Sequence, residues 1–351
     1  MSRTNRVEVM VAAPLEEELA ARIGEAGGEV ELLYEPELLP PRRYVSDHKG
    51  DPDFVRDAAG ERRWRELVER AEVIYGVPGE SAEGLAELLE RGGRLRWVQA
   101  TNAGTGQQVR EAGIPPGALD RVAVTTASGV HATPLAEFCL MGLLHFARRV
   151  PRLSQLERDR IWRREPAREL RDMTLLVVGL GGIGTEVARL AECFGMEVLG
   201  VKRRPGGEEP HVREVYPPER LREVLPEADA VVVTLPLTDE TGNLFDREAV
   251  AAMKPDAIFV NVGRGGVVDE AALLEALEEE RLAGAALDVF REEPLPPESR
   301  FWELENVLVS PHSAAVSESE TGRIVELFVD NLRRYLAGEP LANRLRPDHL
   351  Y

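Results

Sequence analysis

Lysine is nearly missing from this chain: Lys49, Lys202 and Lys254 stand against 40 arginines. Replacement of lysine by arginine is not a general mark of heat adaptation, so the skew is read as a coding-composition bias. Cysteine is scarce too. Cys139 and Cys193 both fall in apolar helical stretches, which excludes a disulfide scaffold and a cysteine-rich metal centre and makes both expected core residues. No segment reaches the roughly 18 apolar residues of a membrane span. The opening Met1-Ser2-Arg3-Thr4-Asn5-Arg6 lacks the apolar core of a signal peptide. A cytoplasmic protein without membrane contact is expected. Basic charge is also in deficit: the net charge is -19 and the pI about 4.9. Nucleic acid is therefore excluded as the main partner, because neutralising phosphates needs a basic face. Small acidic substrates are not, since one local cation suffices.

What is present is a repeated strand-helix rhythm. The 351 residues suit about two domains. Strands are expected at Val7–Ala12, Glu29–Tyr34, Val73–Tyr75, Leu95–Gln99 and Val122–Thr125, with helices at Leu15–Ala26 (ended by Gly27-Gly28), Arg62–Arg70 and Leu85–Glu90. Residues 36–60 have no periodicity and read as a loop or lid. A long apolar helix is expected over Pro134–Arg149, with proline in its first turn. Arg152–Arg171 reads either as a solvated connector or as a dimerisation arm. The rhythm restarts at residue 174, with strands at 174–178, 197–201, 230–235, 257–261, 284–288 and 306–309, and helices at 183–194, 218–225, 246–252 and 269–280. A last helix spans Glu318–Leu336. Such alternation means α/β architecture with parallel, doubly wound sheets.

The run Gly179-Leu180-Gly181-Gly182-Ile183-Gly184 follows the apolar strand Thr174-Leu175-Leu176-Val177-Val178 and opens a helix. In that setting G-x-G-x-x-G is a dinucleotide fingerprint. The glycines permit the tight turn, the approach of a pyrophosphate and close helix–strand packing, and the helix start offers N–H groups to the phosphates. The next strand ordinarily ends in the carboxylate that holds the ribose of NAD. Here Lys202-Arg203-Arg204 stands there instead. Either these cations are solvated and NAD binds through other contacts, or they receive a 2′-phosphate, which Arg can grip in bidentate fashion. The missing carboxylate favours NADP, with Arg203 the first choice for the phosphate.

Three further segments carry the chemistry. Val260-Asn261-Val262-Gly263-Arg264-Gly265-Gly266-Val267-Val268-Asp269 puts an arginine just past a strand's end. Ala286-Leu287-Asp288-Val289-Phe290-Arg291-Glu292-Glu293-Pro294 supplies carboxylates, and Val309-Ser310-Pro311-His312-Ser313-Ala314-Ala315 a histidine. With the glycine loop and Thr234-Leu235-Pro236-Leu237-Thr238, this ordered set resembles the D-isomer-specific 2-hydroxyacid dehydrogenase family, over nearly the whole length. The residues fit such chemistry on their own terms. Reducing a 2-oxoacid needs a hydride, a proton for the developing alkoxide and an anchor for the carboxylate. A histidine beside a carboxylate suits the proton, and an arginine suits the anchor.

The resemblance implies a catalytic set Arg264, Glu293 and His312, with Glu293 preferred to its neighbour Glu292. It implies cofactor contacts from Gly179, Gly181, Gly182, Ile183, Gly184, Lys202, Arg203, Arg204, Thr234, Leu235, Pro236, Thr241, Val262, Asp288 and His312. Substrate contacts are implied for Asn102, Ala103, Gly104 and Arg264; the chain departs from the family pattern in the following Thr105-Gly106. No metal is implied. The architecture implied is a Rossmann cofactor domain (130–315) inserted into a flavodoxin-like substrate domain made of 1–129 and 316–351, with catalysis in the cleft between them and a homodimer through 134–172. The activity implied is reduction of a small 2-oxoacid of the glyoxylate or hydroxypyruvate type. The alternatives are a phosphoglycerate or formate dehydrogenase of the same architecture, or a non-catalytic cofactor-sensing protein like the corepressors of this fold. Glu293 disfavours the formate enzyme, which carries glutamine there. Outside these segments, His131 lies near the domain crossover and His145 reads as a packed residue. His48, His211 and His349 read as surface residues, and Trp302 as a core side chain.

Overall fold

The computed structural model describes residues 6–27, 29–206 and 208–346; Met1 to Asn5, Gly28 and His349, with the readings made of them, lie outside these. The chain falls into two compact units, Met1–His131 with Val316–Tyr351, and Ala132–Ala315.

The first unit begins β1 (Val7–Val11), α1 (Glu17–Gly24), β2 (Val30–Leu33), α2 (Ala58–Arg70), β3 (Val73–Tyr75), α3 (Ala82–Arg91), β4 (Trp97–Gln99), α4 (Thr105–Glu111), α5 (Pro116–Arg121) and β5 (Ala123–Thr125). Its five strands are all parallel in the order β2-β1-β3-β4-β5, the flavodoxin-like arrangement. β1 is buried along its whole length, as strands covered on both faces are. Its one charge, Glu8, is held by Arg70 at 2.6 Å and Arg94 at 2.5 Å. α2 and α3 start where expected chemistry starts them: Asp57 accepts from the N–H groups of Ala59 and Gly60, and Ser81 from that of Gly84, caps worth about 1 kcal/mol each.

The segment between β2 and α2 has only a single helical turn, at Pro36–Leu38. It is not a loose surface loop, however. Ser46, Asp47 and His48 are buried, so the expectation of a surface His48 is corrected. A stretch without hydrophobic periodicity can still bury polar side chains when they find partners: Asp47 finds Arg43 and Gly50 close by, Ser46 finds Ser317 and Thr321 at the far end of the chain, and His48 lies 3.6 Å from Glu320.

The second unit contains α6 (Ala132–Ala147), α7 (Val150–Arg158), β6 (Thr174–Val178), α8 (Gly182–Cys193), β7 (Glu197–Val201), β8 (Glu214–Tyr216), α9 (Leu221–Val224), β9 (Ala230–Val233), α10 (Arg247–Ala252), β10 (Ala257–Asn261), α11 (Glu270–Glu278), β11 (Leu282–Leu287) and β12 (Val307–Val309). The seven strands are parallel in the order β12-β11-β10-β9-β6-β7-β8. The order reverses between β6 and β9, the switch point at which doubly wound sheets bind dinucleotides. Leu175 to Val178 of β6 are completely buried; each contributes roughly 1.5–3 kcal/mol relative to exposure. Two expectations fail here. Cys193 ends α8 exposed, whereas Cys139 is core; one residue at a helix end escapes the buried stripe its neighbours define. Trp302 is half exposed and donates through Nε1 to the Pro296 carbonyl at 3.0 Å, an outlet that lets an indole stay at the surface.

The chain then returns to the first unit as α12 (Glu320–Ala337), closed by Gly338. Phe328 of α12 stacks on Trp97 at 4.9 Å and meets Tyr75 edge-on at 5.3 Å. The first unit's core is thus built from both ends of the sequence. Among the described residues no helix is long and apolar enough to cross a membrane.

Candidate active site

In the second unit the sequence-expected residues gather past the C-terminal ends of the strands. The glycine loop links β6 to α8. Gly179 has φ +109°, and a Cβ at Gly184 would lie 1.9 Å from the Gly179 carbonyl oxygen, so both positions require glycine. A Cβ at Gly181 or Gly182 would meet nothing within 4 Å. The helix start therefore faces open space, with the backbone room a pyrophosphate needs; the cradle fits a dinucleotide. Thr234, just past β9, donates to the Gly179 carbonyl at 2.6 Å and ties the two loops together. Thr241 folds the following turn by donating to the Pro236 carbonyl at 2.6 Å. Leu235 and Ile183 are partly buried and Val262 is buried.

Lys202, Arg203 and Arg204 follow β7 directly. Lys202 is ion-paired with Glu209, and Arg203 lies 3.5 Å from Glu240. Both side chains remain substantially exposed.

β10 runs into a turn braced by Asn261, whose Oδ1 accepts from Gly263 N at 3.0 Å and whose Nδ2 donates to the Arg264 carbonyl at 3.2 Å. Arg264 is mostly buried. Burial lowers its pKa, against the opposing charges of Glu293 and Asp288. Past β11, Asp288 is buried and uses one oxygen to accept from Ser310 Oγ at 2.6 Å and from the N–H groups of Ser313 and Ala314, each at 2.9 Å. Burial raises its pKa despite these donors. Asp288 thereby fixes the loop that carries His312, whose own N–H donates to the Asp288 carbonyl at 3.0 Å.

His312 Nδ1 stands 2.7 Å from Glu293 Oε2, while Glu293 Oε1 accepts from Phe290 N at 2.9 Å. Burial pushes the Glu293 carboxyl up, but the His312 contact, the Phe290 N–H and the charges of His312 and Arg264 outweigh it and hold it below its ordinary value. With Nδ1 turned to Glu293, Nε2 is the nitrogen that faces outward on a ring still 46% exposed. The arrangement is a proton carrier oriented by a fixed carboxylate, with the half-buried cation of Arg264 alongside.

In the first unit, Asn102, Ala103 and Gly104 follow β4. Asn102 Oδ1 accepts from Thr105 Oγ1 at 3.0 Å and Ala103 is exposed. Four contributors escaped the sequence reading: Asn261, Ser310 and Ser313, which brace the turns, and Glu270, which accepts from Arg291 N at 2.5 Å. The readable signal for Asn261 was a polar residue closing an otherwise apolar strand. His131, expected only near the crossover, bonds Glu320 at 3.0 Å. His145 packs edge-on against Phe146, and His211 pairs with Glu192 at 2.6 Å. Among the described residues no group of three or more His, Cys, Asp or Glu is placed to hold a metal ion.

Fold and site together define an oxidoreductase working through a nicotinamide dinucleotide. Residues 140–314 match the model of the D-isomer specific 2-hydroxyacid dehydrogenase, NAD binding domain. The chain is 36% identical to a glyoxylate reductase of Korarchaeum cryptofilum, over 72% of this chain and 77% of that enzyme. It is 38% identical to an (S)-sulfolactate dehydrogenase of Chromohalobacter salexigens, over 61% and 70%. A D-isomer specific 2-hydroxyacid dehydrogenase of Xanthobacter autotrophicus, solved in complex with NADPH and MES, superposes with a TM-score of 0.76 at 29% identity, covering 99% of this chain and all of that one. The chain belongs to the D-isomer specific 2-hydroxyacid dehydrogenase family.

Proposed function

We propose that the protein reduces a small 2-oxoacid, of the glyoxylate or hydroxypyruvate type, to the D-2-hydroxyacid with NADPH. When bound, the cofactor supplies the hydride. His312 Nε2 gives the proton to the developing alkoxide and takes it back in oxidation. Glu293 holds the ring through Nδ1. Arg264 pairs with the substrate carboxylate and polarises the carbonyl. The backbone at Asn102, Ala103 and Gly104 is assigned to the acid on the family resemblance alone. The 2.7 Å contact of His312 with Glu293, beside half-buried Arg264, carries this reading, and the glyoxylate reductase relative supports the substrate type.

The unit Ala132–Ala315 is assigned the cofactor and the other unit the acid. The three cations after β7 support NADP, as does the NADPH-bound relative; Glu209 and Glu240 are the counter-charges a 2′-phosphate has to displace. A homodimer through 134–172 is supported by the exposure of Leu153, Ile161 and Trp162, the last at 96%, since such side chains on one segment mark an interface. The cytoplasm is the proposed setting, supported by the free cysteines.

The test is the loss of NADPH absorbance with glyoxylate, hydroxypyruvate, pyruvate, phenylpyruvate and 2-oxoisocaproate. Turnover that disappears in His312→Ala while NADPH still binds is the expected result. Binding of NADPH with no turnover of any of these acids overturns the reading in favour of a sensing role.

A further inference from the structure

β7 ends at Val201, and the irregular stretch from there to β8 carries both the cations of the nucleotide site and an acid that opposes them. Lys202 is ion-paired with Glu209, and the pair is sheltered: 33% of the Lys202 side chain and 14% of the Glu209 side chain are exposed. Arg203 and Glu240, 3.5 Å apart, are 49% and 72% exposed. Water and salt screen the second pair far more than the first. Of the two acids, Glu209 is therefore the one whose charge a ligand at this strand end meets at greater strength.

The stretch is also fixed beside the dinucleotide cradle, within one unit. The Glu209 carbonyl accepts from Val212 N at 3.3 Å, and Val212 lies on Gly200 of β7. A Cβ at Gly200 would stand 3.3 Å from Val212 Cγ1 and 2.5 Å from Leu180 Cδ1. The bare glycine lets Val212 and Leu180, which belongs to the glycine loop, approach the same point of the strand. His211 has a left-handed φ of +69° and sets Nδ1 2.6 Å from Glu192 Oε2, near the end of α8. The residues that bring Glu209 to Lys202 are thus bounded by β7, α8 and the glycine loop.

Electrostatics then separates the two nicotinamide dinucleotides, which differ by one phosphate on the adenosine ribose. A 2′-phosphate has to take the Lys202 ammonium from Glu209, and it leaves a sheltered carboxylate without its partner. A ribose with hydroxyls alone requires no such exchange. We propose that Glu209 sets the cofactor preference: it occupies Lys202, restrains the advantage that the three cations give NADPH, and keeps NADH usable. The inference rests on the assignment of Lys202, Arg203 and Arg204 to the 2′-phosphate and goes beyond it, because it adds a residue that acts against the phosphate.

The experiment is isothermal titration with NADPH and with NADH, in the absence of any 2-oxoacid. The unmodified protein is expected to bind both. In Glu209→Gln the Kd for NADPH should fall about tenfold, a modest share of what one sheltered like charge can cost, while the Kd for NADH changes less than about twofold. Glu209→Asp keeps the charge and should stay near the unmodified ratio of the two constants. Glu240→Gln, in the screened pair, should move that ratio by less than about threefold. Lys202→Gln should weaken NADPH alone. An unchanged ratio in Glu209→Gln, with NADPH still weakened in Lys202→Gln, overturns the role of Glu209 and leaves the phosphate assignment standing. The same shift in the Asp and Gln variants assigns the effect to packing and overturns it as well, as does a failure of the unmodified protein to bind NADH. Equal losses of both dinucleotides in Lys202→Gln and in Arg203→Ala remove the phosphate assignment itself, and the inference with it.

Discussion

Glu293 grips the polypeptide with one carboxylate oxygen and His312 with the other: Phe290 N at 2.9 Å on Oε1, His312 Nδ1 at 2.7 Å on Oε2. The orientation of the imidazole is thereby tied to the backbone of the loop after β11. An amide at position 293 keeps the shape but loses the negative charge that faces Nδ1. Glu293→Gln is expected to lower kcat by about 10²-fold, the usual scale of general acid–base catalysis, with NADPH affinity unchanged. Glu292→Gln, on the exposed neighbour, should behave as the unmodified enzyme in the same steady-state assay; equal losses in the two variants would assign the orienting role wrongly.

Arg264 gives a second separable expectation. Its guanidinium is mostly buried beside Glu293 and Asp288, and only a planar fork can meet a carboxylate through two parallel N–H bonds. Arg264→Lys keeps the charge and loses the fork. Its kcat/KM for the 2-oxoacid should drop by roughly 10²-fold, consistent with the loss of one well-placed charged hydrogen bond. Isothermal titration should find NADPH binding little changed. A lysine variant with near-normal kcat/KM shows that charge alone is enough.

Much of this was legible in the sequence because it is local or periodic. The glycine fingerprint, the β-branched runs of β6, β9 and β10, and the order Arg264, Glu293, His312 are all visible in one dimension. The unread parts have different causes. β8 is three residues at a sheet edge, too short to show a period. α4 and α5 are short helices flanked by glycine and proline, where turn signals mask the helix. Arg152–Arg171, read as a connector or arm, opens with the helical turns of α7, hidden because few of its residues are buried. The anchorage of 43–50 depends on Ser317, Glu320 and Thr321, about 270 residues away, and pairing over such a distance leaves no mark on local composition.

The close approach of Gly184 to Gly179 separates structural from ligand-binding glycines. A methyl group at 184 would sit 1.9 Å from a backbone carbonyl oxygen, whereas one at 182 meets no protein atom within 4 Å. Gly184→Ala must push α8 from β6 and is expected to destabilise the protein by about 1–3 kcal/mol, typical of overpacking, visible as a lower Tm without ligand. Gly182→Ala should leave the apo Tm unchanged and weaken dinucleotide binding alone. The same Tm in both variants contradicts this division.

The last expectation concerns acid. Glu320 is buried at the start of α12. Burial alone would raise its pKa, but bonds and charges from His131 and His48 hold it at about 2, against an ordinary 4.5. A carboxylate whose folded pKa lies below its unfolded one contributes stability that is complete above the unfolded value and disappears as pH falls through the folded one. The contribution is therefore full at neutral pH and lost between about pH 5 and pH 2. A shift of this size corresponds to on the order of 3 kcal/mol. Glu320→Gln should lower Tm at neutral pH and show a flatter acid limb, so that the two melting curves converge as pH approaches the lower end of that window. Parallel Tm–pH curves for the two proteins, offset by a constant amount, would mean that Glu320 contributes through packing rather than through its charge.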